Sequence, residues 1–99
     1  MTTMRSALTK DEIQNALKEL AGWRHENDAL QKTFELKNFR EAMSFMVRLG
    51  FEAEQRDHHP EMKNVYGRVE ILLRTHDAGN AVTKADVELA KAIEAFSWV

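Results

Sequence analysis

The strongest constraint on the fold is the order in which helical and strand-like patterns follow one another along the chain. Apolar residues recur at helical spacing near residues 10–21, 39–55 and 84–96. Between these segments lie two pairs of short runs suited to β-hairpins, one pair around Asn27-Asp28 and one around Gly67. This α-β-β-α-β-β-α order predicts an α+β domain in which three helices cover one face of a four-stranded antiparallel sheet.

Each predicted helix has a polar residue suited to cap its first turn, followed three residues later by an acid. These pairs are Thr9 with Glu12, Asn38 with Glu41, and Thr83 with Asp86. Gly22 can adopt the left-handed conformation that ends the first helix. In the first hairpin Lys32 interrupts the apolar register of Leu30 and Phe34, and we expect its stem to lie along apolar surface with its ammonium in water.

The second predicted helix is apolar on more than one face. One stripe contains Ala42, Phe45, Met46 and Leu49, and a second contains Phe39, Met43, Val47 and Phe51. Two interpretations remain open from the pattern. Either the helix is central and covered by its own domain, or it is shared with a partner subunit.

Length and composition limit the possible classes of protein. The 99 residues predict one domain over residues 1–99, with residues 1–8 mobile. The 14 Lys and Arg are mixed with 16 Asp and Glu, so no basic stripe favours direct nucleic-acid binding. The absence of cysteine excludes disulfides and thiolate metal sites. No apolar run approaches the about 20 residues that span a bilayer, and we expect a cytoplasmic protein with no membrane contact.

Three of the four histidines lie in one stretch, between Glu54 and Asp86. Glu54 is followed after three residues by His58-His59-Pro60, after five more by Tyr66, after nine by His76 and after nine by Asp86. Imidazole both gives and takes protons near neutral pH, so clustered histidines indicate acid-base chemistry. The second hairpin is expected to bring His76 towards His58 and His59.

This spacing resembles that of the pterin-4a-carbinolamine dehydratases, small enzymes that recycle oxidised pterin cofactor. The resemblance implies dehydration of 4a-hydroxytetrahydropterin to the quinonoid dihydropterin, with His58 and His76 transferring protons and His59 orienting the ring. It also implies assembly through a helical bundle, and we expect a homodimer or homotetramer. Nothing in the sequence calls for a cofactor or metal. Where many family members have a tryptophan, this chain has Met62, so a flexible thioether replaces an aromatic wall or packing contact.

The candidate site residues divide into two groups. The candidate catalytic residues are His58, His59 and His76. The candidates for binding or orienting the substrate are Glu54, Pro60, Tyr66, Thr75, Asp77 and Asp86. Several also have a structural interpretation, since Tyr66 suits a strand, Asp86 suits a capping box, and Glu54 suits the exposed end of a helix.

Two other classes of function are compatible with the sequence. A zinc hydrolase could use the three histidines as ligands with Glu54 or Asp77 nearby, although adjacent histidines rarely point at one ion. A non-enzymatic interaction module is the second alternative, because animal members of the resembled family also act as dimerisation cofactors of a homeodomain transcription factor. The two-faced helix would suit such a protein partner.

Overall fold

The computed structural model describes residues 5–97 and has the predicted order of helices and strands. The elements are α1 (Lys10–Leu17), β1 (Arg24–Glu26), β2 (Ala29–Glu35), α2 (Phe39–Gln55), β3 (Glu61–Val65), β4 (Arg68–Leu73) and α3 (Lys84–Phe96). A short 3₁₀ turn over His76–Ala78 lies between β4 and α3. The predicted α+β class is therefore confirmed.

The four strands form one sheet in the order β1-β2-β4-β3, and every neighbouring pair is antiparallel. In the central pair, Leu30 lies opposite Leu73 and Phe34 lies opposite Val69, and all four side chains are buried. Alternate residues of a strand point to opposite faces, so this register gives the sheet one apolar face. The three helices cover that face, as the sequence predicted.

The core lies between this apolar face and the helices. α2 and α3 contribute the largest share of it, with buried Ala42, Phe45 and Leu49 from the first and Leu89, Ala90 and Ile93 from the second. The ring of Phe45 lies 4.8 Å from that of Phe34 and 5.8 Å from that of Phe96, measured between centroids. These aromatic contacts join both helices to β2.

Lys32 lies on the apolar face without breaking the strand. Its Nζ donates to Glu94 Oε2 at 2.8 Å and to the Ala21 carbonyl at 3.0 Å, and it sits 4.7 Å from the centre of the Phe34 ring. The stem therefore lies along apolar surface as expected, but the ammonium, expected in water, is bound by a carboxylate and a carbonyl oxygen. These contacts explain why the interrupted pattern still forms a strand.

Two-residue turns close both hairpins. Asn27 and Asp28 have φ of 51° and 59°, the left-handed pair that matches the twist of the flanking strands. In the second turn Tyr66 has φ of 50° and is 81% exposed. The interpretation of Tyr66 as a strand aromatic packed in the sheet is therefore wrong, because the chain reverses at this residue.

The end of α1 differs from the prediction. The helix stops at Leu17, and Lys18, Glu19 and Leu20 bond instead to carbonyls three residues back, which tightens the chain as 3₁₀ turns do. Gly22 does have a positive φ, of 85°, but it belongs to the turn that leads into β1. The apolar periodicity continued past the helix because Leu20 is still buried in the core.

The second stripe of α2 is exposed. Phe39, Met43, Val47 and Phe51 have relative exposures between 42% and 69%, so residues 5–97 do not cover them. The two-faced character predicted from the sequence is thus present in the folded chain. In the same residue range, no helix has the length and apolarity needed to cross a membrane. The cytoplasmic location stays a prediction.

At the N-terminus, residues 1–4 lie outside the described part, and the mobility expected for residues 1–8 stays a prediction. Leu8 donates its backbone N–H to the Val82 carbonyl at 2.9 Å, and Ala7 forms an isolated bridge with Thr83. The segment before α1 therefore lies beside the start of α3.

Replacing Gly67 with alanine is expected to destabilise the fold. A Cβ at this position would lie 2.6 Å from the Leu36 carbonyl oxygen, and Gly67 itself accepts the Leu36 N–H at 2.7 Å, so neither backbone can retreat freely. We expect Gly67→Ala to lower the free energy of unfolding by about 1–3 kcal/mol, the usual cost of overpacking. Urea unfolding measures this, and an unchanged midpoint would contradict the close packing of this turn.

Candidate active site

One pocket of about 300 Å³ is lined by all three predicted catalytic residues. It lies where α2 ends, β4 ends and the 3₁₀ turn begins. Its lining consists of Arg5, Asp57, His58, His59, Arg74, Thr75, His76 and Asp77. The structure therefore brings His58, His59 and His76 together, because antiparallel β3 and β4 return the chain to the edge from which it left.

His58 is the buried member of the three histidines. Its relative exposure is 6%, and its Nε2 lies 2.5 Å from Oδ1 of Asp86, a residue with no exposed surface. The chain reaches this position through a tight turn at the end of α2, where Asp57 has φ of 50° and the His58 N–H bonds to the Ala53 carbonyl at 3.0 Å. The ring is thereby directed inward, towards the start of α3.

The Asp86 carboxylate is held by three donors. Oδ2 accepts the Thr83 backbone N–H and the Thr75 hydroxyl, both at 2.8 Å, while Oδ1 faces His58. Since Thr75 gives its only hydroxyl proton to Asp86, the 2.6 Å contact between the two threonine oxygens requires Thr83 to donate to Thr75. The capping box predicted for Asp86 is present, and the same carboxylate also orients His58.

His59 and His76 are exposed, and each is tied to one oxygen. His59 Nε2 donates to Glu54 Oε1 at 2.8 Å, one turn back on α2. His76 Nδ1 donates to Asn80 Oδ1 at 3.2 Å, across the 3₁₀ turn. Each exposed ring therefore keeps its second nitrogen free of these contacts. The partner of His76 is therefore a side-chain oxygen and not a backbone carbonyl.

Sequence reasoning missed Arg5 as a site residue. Its guanidinium donates to His58 Nδ1 at 3.0 Å and to the carbonyls of Arg56 and Asp57 at 3.4 and 3.3 Å. Arginine is always a donor, so His58 Nδ1 must be the unprotonated acceptor and Nε2 must carry the proton donated to Asp86. No local pattern signals a contact between residues 53 positions apart.

Asn80 and Arg74 were also missed. Asn80 follows His76 by four residues, and this spacing could have suggested the contact between the two side chains. Its backbone has a left-handed φ of 61°. Arg74 precedes Thr75 at the end of β4, and its Nε lies 3.0 Å from Glu61 Oε2 in an ion pair without good hydrogen-bond geometry. Arg74 comes directly after β4, and Asn80 comes after the 3₁₀ turn.

Four of the six predicted orienting residues lie outside the pocket lining, which includes only Thr75 and Asp77 of that group. Two of the four, Glu54 and Asp86, reach the pocket through their hydrogen bonds to His59 and His58. Pro60 is half-buried directly after His59 and sets the direction of the chain into β3. Tyr66 lies at the far end of the β3–β4 hairpin, about 16 Å away at the usual rise of a strand. Within one chain, therefore, the geometry gives no support to a substrate contact by Tyr66. Met62, at the position of the family's tryptophan, is 41% exposed on β3.

The pocket is equipped for proton transfer. It presents one buried imidazole paired with a buried carboxylate, and two exposed imidazoles whose orientation is fixed by side-chain oxygens. A carboxylate behind an imidazole sets its tautomer and stabilises the cation that forms when the ring takes a proton. Among residues 5–97, no group of three or more histidine, aspartate or glutamate side chains is placed to hold a metal ion.

Comparison with known proteins agrees with this geometry. The family model described as pterin 4 alpha carbinolamine dehydratase matches residues 6–96. A protein of Opitutus terrae named as a pterin-4-alpha-carbinolamine dehydratase is 58% identical over 96 residues, covering 97% of this chain and 99% of the relative. A similarly named protein of Rhodopseudomonas palustris is 47% identical, covering 95% and 94%.

A solved structure shows the same fold. The crystal structure of a transcriptional coactivator/pterin dehydratase from Brucella melitensis superimposes with a TM-score of 0.85 at 38% identity, covering 90% of this chain and 96% of that one. The family match spans nearly all of the described residues, and the similarity to these relatives extends over whole chains. The chain therefore belongs to the pterin-4-alpha-carbinolamine dehydratase family.

Proposed function

We propose that this protein is a hydro-lyase that dehydrates a 4a-hydroxytetrahydropterin to the quinonoid dihydropterin, in the recycling of pterin cofactor. The observation that carries this proposal is the convergence of His58, His59 and His76 on one pocket, each with one ring nitrogen fixed by an oxygen. The names of the relatives support the choice of substrate and reaction.

The reaction needs one base and one acid. The C4a–O bond breaks, the N5 lone pair forms the C4a=N5 double bond, N5 gives its proton to the base, and the hydroxyl leaves as water after taking a proton from the acid. Hydroxide is a poor leaving group, so protonation of the departing oxygen lowers the barrier. One proton is gained and one is lost, so the site returns to its starting charge after proton exchange with solvent.

His58 is suited to be the base. Its Nε2 proton is committed to Asp86, so its Nδ1 lone pair is the position that can accept the N5 proton. The buried carboxylate then faces an imidazolium, an arrangement that stabilises the protonated ring. Burial of the pair keeps water from competing for either partner.

His76 is suited to be the acid, and His59 to orient the ring. His76 Nδ1 is tied to Asn80, so in the protonated ring the Nε2–H can be donated to the departing hydroxyl. His59 is held by Glu54 at the other edge of the pocket, where its free nitrogen can contact the pterin. Thr75 and Asp77, two of the predicted orienting residues, also line the pocket.

Removal of both proton-transfer groups is expected to abolish most of the catalysis. His58→Ala with His76→Ala should lower turnover by more than about 10²-fold, the usual contribution of general acid-base groups. Stopped-flow absorbance of enzymatically generated 4a-hydroxytetrahydropterin measures its decay with and without each variant. His25→Ala is the matched control, because the fourth histidine lies on β1, outside the pocket. Full turnover in the double variant would refute these roles.

Asp86→Asn is expected to lower both stability and turnover. The amide places its NH₂ group either against the Thr83 and Thr75 donors or against the His58 Nε2–H, so at least one buried donor loses its acceptor. We expect a loss of about 1–3 kcal/mol in the free energy of unfolding and a fall in kcat of about tenfold or more.

Glu54→Gln provides the matched control for this carboxylate. Glu54 and His59 have side-chain exposures of 79% and 60%, so their contact is largely screened by water. The change in the free energy of unfolding should stay within about 0.5 kcal/mol. Equal losses in the two variants would show that the buried position of Asp86 has no special role.

We also propose that the chain assembles as a homodimer or homotetramer through α2. Phe39, Met43, Val47 and Phe51 recur every four residues and form one exposed apolar stripe. Such a contiguous patch is typical of a protein interface, and a symmetric assembly would bury the stripe of each copy against that of another.

Val47→Glu is expected to dissociate this assembly. A carboxylate in the centre of the stripe would be buried without a partner, which opposes association strongly. Sedimentation at micromolar concentration should show an oligomer for the wild type and a monomer for the variant. Gln14→Glu, at an exposed position of α1, should leave the oligomer intact. A wild-type monomer under these conditions would remove the proposal.

The α2 stripe also keeps the second candidate function open. A non-enzymatic interaction module would use the same surface for a different protein, and the Brucella relative is described as both coactivator and dehydratase. Recovery of a stoichiometric protein partner, together with no acceleration of dehydration, would favour that function over the enzyme.

A further inference from the structure

Arg5 blocks the one nitrogen that His58 has for catalysis. His58 Nε2 is committed to Asp86, and Nδ1 accepts a hydrogen bond from the Arg5 guanidinium at 3.0 Å. A guanidinium stays protonated in proteins, so Arg5 can neither accept the substrate proton nor relay it. While this contact persists, the His58 base proposed above is unavailable.

The contact is built so that only one side chain needs to move. The backbone next to Arg5 is anchored by the Ala7–Thr83 bridge and by the Leu8 N–H bonded to Val82. The remaining bonds of the guanidinium, to the carbonyls of Arg56 and Asp57, are long, at 3.4 and 3.3 Å, and exposed. Rotation of the Arg5 side chain would free Nδ1 without disturbing the fold, and the carbonyls could then bond to water.

We propose that Arg5 is a latch on His58, which the pterin substrate must displace before His58 can take its proton. The latch holds the neutral His58 ring in the tautomer with a proton on Nε2. Arg5 therefore keeps the Nδ1 lone pair unprotonated while it blocks access to that nitrogen. This inference rests on the proposed dehydratase function and adds a regulated step to it. The competent state is then only a fraction of the ligand-free protein, and the apparent affinity for substrate falls by that fraction.

Arg5→Ala should therefore bind pterin more tightly. Since a single partly buried hydrogen bond contributes modestly, we expect the dissociation constant of a stable 7,8-dihydropterin, and the KM of the substrate, to fall about three- to tenfold with kcat little changed. Arg5→Lys keeps the positive charge and can still donate a hydrogen bond. Its dissociation constant and KM should therefore lie between those of the wild type and of Arg5→Ala. Arg56→Ala removes a neighbouring charge that is paired with Glu52 and should bind like the wild type.

Long-range ¹H–¹⁵N NMR of the histidine rings tests the contact without turnover. In the ligand-free wild type, His58 should appear as the tautomer protonated on Nε2. Its Nδ1 resonance should move in Arg5→Ala and, in the wild type, when the dihydropterin is added. The resonances of His59 and His76 should change much less on substitution, because the hydrogen bonds of Arg5 within the described residues go to His58, Arg56 and Asp57 and to neither of these rings.

The outcomes separate the latch from the function on which it rests. Normal turnover with an unchanged KM and an unchanged Nδ1 resonance in Arg5→Ala would overturn the latch alone. Weaker pterin binding by Arg5→Ala would also overturn it, since Arg5 would then be a substrate contact. Absence of pterin binding and of dehydration in the wild type and in every variant would overturn the proposed function, and the latch with it.

Discussion

The Asp86 carboxylate is the interaction on which the rest of the site depends. It is fully buried, yet each oxygen has a hydrogen-bond donor, so the cost of removing a charge from water is offset by specific contacts. Two of those donors come from Thr83 and Thr75, at the start of α3 and beyond the end of β4, and the third is His58, beyond the end of α2. One residue therefore fixes a helix terminus, a loop and an imidazole at once. The proposed chemistry cannot be altered at this residue without also altering the stability of the fold.

Much of the fold follows from local patterns. The capping boxes at Thr9 and Thr83 and the two-residue turn at Asn27-Asp28 are short-range interactions, and a sequence shows them directly. The end of α1 could not be located in this way, because Leu20 is buried by the tertiary fold after the helix has stopped. Hydrophobic periodicity shows which side chains are buried. It does not show where the α-helical hydrogen bonds end, because side chains after the last helical residue can still be buried in the core.

The candidate site was only partly visible in the sequence. The spacing from Glu54 to Asp86 pointed to the three histidines and to both of their carboxylate partners, since those pairs lie within 28 residues of one another. The contact made by Arg5 spans 53 residues and has no periodic or motif signal, so only the folded chain reveals it. Tyr66 lies away from the pocket within one chain. It matches the spacing, but a hairpin places the two ends of a motif together and its middle far away.

Asp86 follows His58 by 28 residues, so the site cannot form until α3 has been synthesised. α3 supplies Asp86 and a large part of the core, and it is the last helix of the described chain to be synthesised. Until it docks, the apolar faces of β2 and α2 have no cover on that side, and His58 has no carboxylate. A nascent chain from which α3 has not yet emerged would therefore expose both an apolar sheet face and an unpaired histidine, so it is prone to aggregation at this stage.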